Sequence, residues 1–141
     1  DNRFVAYVVS NGVLSAAIHT YPQLQIQAGC ASTTLGILKR IKGSMDLSDE
    51  DDVELLPSVE GMIDCTAHFV KTLETAIAKN GEAKLMEAAS RWEGNRAYHD
   101  IVDDMRNGFK HPKRFTPNSR EAVANRRLVD EYVKKFLTGP Q

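Results

Sequence analysis

"RFVAYVVSNGVLSAAI", residues 3–18, decides between two folds. At the helical period Val5, Val8, Val9, Val13, Ala16 and Ala17 fall near one face, with Gly12 on it. At the strand period Asn11-Gly12 is a tight-turn pair between two apolar runs, the first of them β-branched, and the segment becomes a hairpin. Everything downstream reads helical, so residues 4–18 are read as a helix too. "YPQLQIQAG" then breaks the pattern at Pro22.

A second helix is expected over about residues 27–42. Leu35, Leu38 and Ile41, with Cys30 and Thr34, mark one face; Lys39, Arg40 and Lys42 suit the dipole of its last turn, and Gly43 ends it. The acidic run Asp49 to Asp52 is a solvated linker or an acidic helix start capped by Ser48. It lacks the central glycine and terminal glutamate of a calcium loop. A third helix, about 58–79, carries the stripe Met62, Cys65, Phe69, Leu73, Ala76 and stops at Asn80-Gly81. A fourth segment runs from about 82 towards 106, weakened or kinked at Gly94, with Trp92 as a core or interface anchor. A last helix starts at an Asn118/Glu121 capping box. Leu128, Val129, Tyr132, Val133 and Phe136 form its apolar side; Val123, Arg127, Asp130 and Lys134 form the other. The sum is a single all-α domain over 1–141, an up-and-down bundle of four or five helices.

Composition narrows the function classes. The chain has 42% hydrophobic and 26% charged residues and a formal net charge of -1. A domain built to grip long nucleic acid is usually strongly basic, so any phosphate contact here must be small or local. Cys30 and Cys65 form no C-x-x-C pair and read as reduced thiols of a cytoplasmic protein. Four scattered histidines give no zinc spacing, and neither a metal nor another cofactor is called for. No run is long and apolar enough for a bilayer. The opening residues lack the flank and cleavage site of a secretion signal, and the missing initiator methionine is read as a sign of upstream trimming.

Chemistry concentrates in "MRNGFKHP", residues 105–112. On a continuous helix, residues five apart point about 140° away from each other. Gly108 is expected to end the helix here, and Pro112 to push His111 out of helical geometry, so that Arg106 and His111 face one cavity. Such a pair suits RNA cleavage without metal. The imidazole moves the 2′-hydroxyl or leaving-group proton, the guanidinium holds the phosphate, and Asn107 orients either. Lys110, Lys113 and Arg114 supply a local basic cluster for substrate binding. His99, two turns before Arg106, is a candidate lining residue, and Asp103 a candidate partner for the arginine.

Arg106-Asn107-x-x-x-His111, late in a helical chain and before one last helix, resembles the R-x(4–6)-H motif of the higher-eukaryote and prokaryote nucleotide-binding (HEPN) superfamily. The resemblance rests on six residues. It implies a small all-α, metal-independent ribonuclease or nucleotide-binding protein of the toxin–antitoxin or phage-defence kind. Its site would be composite across a homodimer, and an antitoxin-like protein would neutralise it. Arg106 and His111 would be the catalytic pair and Asn107 the supporting residue. Pro112 departs from the small residue that often follows the motif's histidine. The competing expectation is a non-catalytic helical module that binds another helix through the first segment or the Trp92 region. Arg106, Lys110 and Lys113 would then be dipole-complementing cations at a helix end.

Overall fold

The structure, a computed structural model, describes residues 2–111 and 115–139. Among them are six α-helices and no strand: α1 (Asn2–Thr20), α2 (Leu24–Gly43), α3 (Glu50–Asn80), α4 (Glu82–Arg91), α5 (Arg96–Lys110) and α6 (Arg120–Glu131). The last helix continues into a wider π-type turn, Tyr132–Leu137. The protein is all-α, and no described helix is long and apolar enough to cross a membrane.

The opening segment is one helix and not a hairpin. Tyr7, Asn11, Leu14 and Ile18 are buried, while Val5, Val9 and Val13 are 56%, 56% and 55% exposed. The valine face is the outer one. The inner face works because its polar side chains bond to the helix itself. Asn11 Nδ2 donates to the Tyr7 carbonyl at 2.8 Å and Ser10 Oγ to the same oxygen at 3.1 Å. That bond engages the asparagine that would otherwise favour a turn at Asn11-Gly12. Small side chains at Ser10, Ser15 and Ala17 fill the rest of this buried face. Thr34 Oγ1 of α2 donates to the Ser10 carbonyl at 3.4 Å.

α2 starts earlier than expected, at Leu24, because Leu24, Ala28, Ala31, Leu38 and Ile41 make one continuous buried stripe. At its far end Arg3 Nη2 donates to the Ser44 carbonyl at 2.7 Å, and Arg3 Nη1 lies 3.2 Å from Asp52 Oδ2. α1 and α2 therefore run side by side in opposite directions, and the start of α3 is fastened to both. That start is the acidic run. Asp49, not Ser48, is the cap, its carboxylate accepting from the Asp51 N–H at 2.8 Å. Glu50, Asp51 and Asp52 fill the first turn, where negative charge meets the helix dipole. The helix continues through Pro57, which has no N–H to offer the Val53 carbonyl. The expected stripe from Met62 to Ala76 is buried. Gly61 is obligatory in this packing, since a Cβ there would meet the Thr116 backbone at 2.6 Å.

The fourth segment is two helices. Residues 92–95 turn between α4 and α5, with Gly94 inside the turn and Asn95 capping α5 by accepting from the Tyr98 N–H at 3.0 Å. Trp92 stacks edge-on against Phe136 with centroids 5.0 Å apart, so it anchors the interior rather than a surface. α6 is capped by Ser119, whose Oγ accepts from the Ala122 N–H at 3.2 Å. Asn118 takes a left-handed φ of 63° and does not form the expected capping box. His68 Nε2 lies 2.7 Å from Asp130 Oδ1 and pins α3 to α6.

Candidate functional site

α5 does not end at Gly108. It runs to Lys110, and the His111 N–H still donates to the Asn107 and Gly108 carbonyls, each at 3.2 Å. The glycine serves packing instead: a Cβ on Gly108 would meet Asn125 Nδ2 at 2.8 Å and the Phe115 ring at 3.0 Å. Only a residue without a side chain lets α5 approach α6 this closely. Helical phase therefore persists, and residues five apart stay on different sides of α5.

Asn107 and His111 line a groove of about 230 Å³ with Asp104, Glu121, Asn125 and Leu128. Arg106 is not among its lining residues. Its Nε donates to Asp103 Oδ1 at 3.2 Å. The helical period puts Arg106 on the side of α5 that also carries Val102 and His99. His99 Nε2 itself lies against the Glu93 carbonyl, at the opposite end of the helix from His111. The structure thus brings together Asn107 and His111 and sets Arg106 and His99 apart from them. Lys110 is exposed in the last turn. Lys113 and Arg114, the other expected binding residues, lie outside the described residues, as does Pro112.

The groove's described charges have the wrong sign for a phosphodiester, since Asp104 and Glu121 contribute carboxylates to it. Its one feature that invites a ligand is Asn125. This residue is 3% exposed, donates Nδ2 to the Met105 carbonyl at 3.2 Å, and leaves Oδ1 without a partner.

The outer face of α1 and α2 is larger. Ala6, Val9 and Val13 face Ile26, Cys30 and Ile37 across an open trough of about 650 Å³. Gly12, Gly29 and Gly36 would carry a Cβ into empty space. A plain sequence signal marks this face: residues 4–38 contain no Asp, Glu, Lys or Arg, in a chain that is 26% charged. Cys30 is half-exposed on this face, whereas Cys65 is buried beneath α6, where desolvation raises its thiol to about 11.

No family model, curated protein or solved structure matches this chain.

Proposed function

We propose that this chain is a non-catalytic helical interaction module that works as a homodimer, docked through the outer face of α1 and α2. The observation that carries this reading is the outward apolar face of α1, with Val5, Val9 and Val13 more than half exposed and no charged residue from 4 to 38. Isolated exposed valines are ordinary, but a contiguous apolar face on two neighbouring helices marks an interaction site.

A second copy is the occupant that fits. A charged partner would find no counter-charge on this stretch, whereas the same uncharged face on a twofold mate is self-complementary. The area is adequate. Helices of 19 and 20 residues are about 30 Å long, and two packed side by side present roughly 600 Å². Two copies would bury about 1,200 Å², the lower end of specific, stable interfaces. The up-and-down bundle expected from the sequence suits this role, because consecutive antiparallel helices offer a broad flat face.

Light scattering at about 50 μM should give a mass twice the 15.7 kDa of the chain. Val9→Asp with Val13→Asp should give a folded monomer with an unchanged helical spectrum. A monomeric wild type, or a wild type that floats with liposomes instead of dimerising, overturns the proposal.

The ribonuclease or nucleotide-binding reading keeps one supporting observation. Asn107 and His111 share a groove with the unpaired Asn125 Oδ1. In that reading Arg106 of the second copy completes the site. Its test is RNA cleavage that His111→Ala abolishes at unchanged thermal stability.

A further inference from the structure

A separate cavity of about 550 Å³ opens where the ends of α1 and α4 meet the starts of α2 and α5, above Tyr132. That volume suits a small organic ligand. Leu24, Met86, Ala89 and Val102 give it an apolar wall, and Tyr21, Tyr98 and Tyr132 line it with rings. Glu93 and Asp103 bring carboxylates to its lining, along with His19 and His99; no described Lys or Arg lines it, and Asp103 is paired outside it with Arg106 at 3.2 Å.

One lining residue lacks a partner. Gln27 is 5% exposed, and its Nε2 donates to the Tyr21 carbonyl at 2.7 Å. Its Oε1 accepts from nothing. The orientation is fixed by chemistry, since turning the amide over would set two oxygens against each other. An unpaired buried acceptor is costly, and a ligand N–H that reaches it recovers the loss. Other polar lining groups have partners: Ser90 Oγ donates to the Glu87 carbonyl at 2.7 Å, His99 lies at the Glu93 carbonyl, and Asp103 accepts from Arg106 at 3.2 Å.

We propose that this cavity binds a small organic amine, its N–H on Gln27 Oε1 and its apolar body among Leu24, Met86 and Val102. The Glu93 carboxylate favours the protonated amine, and aromatic faces attract it further. Oε1 is closed to bulk water, so a lining side chain must shift to admit the donor.

Phenethylamine at pH 7.5 is a suitable probe, with 2-phenylethanol and phenylacetate as neutral and anionic controls of similar size. In a ¹⁵N and methyl NMR titration the amine should saturate and shift the Gln27 side-chain amide and the Met86 methyl. The alcohol should bind about tenfold more weakly and the acid not at all. Gln27→Met should weaken the amine about tenfold while leaving the thermal midpoint near wild type. Should that variant misfold, Glu93→Gln, a surface change, should weaken binding several-fold. No binding of the amine, equal binding of all three probes, or shifts confined to another surface overturns the proposal.

Discussion

The outer face of α1 and α2 and the groove between α5 and α6 are opposites. The first is broad, uncharged and exposed, on helices whose own inward faces hold polar atoms. The second is a third of the volume, lined by Asp104 and Glu121, and closed at its base by a glycine contact. Sequence patterning pointed to the second as the place of chemistry and to the first as a face for a partner helix. Where a hydrophobic stripe ends up depends on which side of the helix its neighbours can approach. In α1 the small residues Ser10, Ser15 and Ala17 permit that approach beside Tyr7, Leu14 and Ile18, and the valines are left outside.

This contrast can be broken or sharpened by substitution. The largest effect belongs to the outer face. Val13→Asp buries a charge in any twofold contact and should raise the dimer dissociation constant by about 100-fold or more, roughly 2.7 kcal/mol, in sedimentation equilibrium. An unchanged constant breaks the assignment. Next come the glycines, whose signs should differ between regions. Gly108→Ala, which collides with Asn125 and Phe115, should cost about 1–3 kcal/mol in urea unfolding. Gly29→Ala, with open space around it, should stabilise the helix by up to about 1 kcal/mol.

Raising the pH probes the interior that both regions share. Burial, the main cause, holds the Cys65 thiol at about 11 against an ordinary value of 9.0. The unfolded chain therefore releases this proton first, and stability should fall as pH climbs from about 9 towards 11. Burial also pushes the phenols of Tyr7, Tyr98 and Tyr132 up, which acts in the same direction. Cys65→Ala should remove part of the slope in a series of thermal melts. The smallest effect is expected at the groove rim. His111→Ala should move stability by less than about 0.5 kcal/mol and leave the dimer intact. Ribonuclease activity that this change eliminates would reverse the ranking of the two regions.

Much of the fold was legible where local and tertiary demands agree. The stripe of α3 from Met62 to Ala76 and the apolar side around Val129, Tyr132 and Phe136 are buried as their spacing predicted. Termini were less legible. Asp49 and Ser119 took the caps expected of Ser48 and Asn118, because neighbouring side chains of similar capping power compete within one residue of each other. The end of α5 was misjudged at a single residue. Gly108 carries the sequence mark of a helix end, but its role is set by Asn125 and Phe115, which are remote in sequence. Composition held the clue that periodicity missed, since the charge-free run from 4 to 38 coincides with the exposed face.

Pro57 divides α3 without ending it. The turns ahead of it lack one rung of the hydrogen-bond ladder and are moored instead to α1 through Arg3 on Asp52, while just past the proline the Tyr7 hydroxyl donates to the Ser58 carbonyl at 3.0 Å. Amide protons of residues 50–56 should therefore exchange in step with those of α1 rather than with the rest of their own helix. Anything that clasps α1 from outside would then quieten a stretch of backbone it never touches.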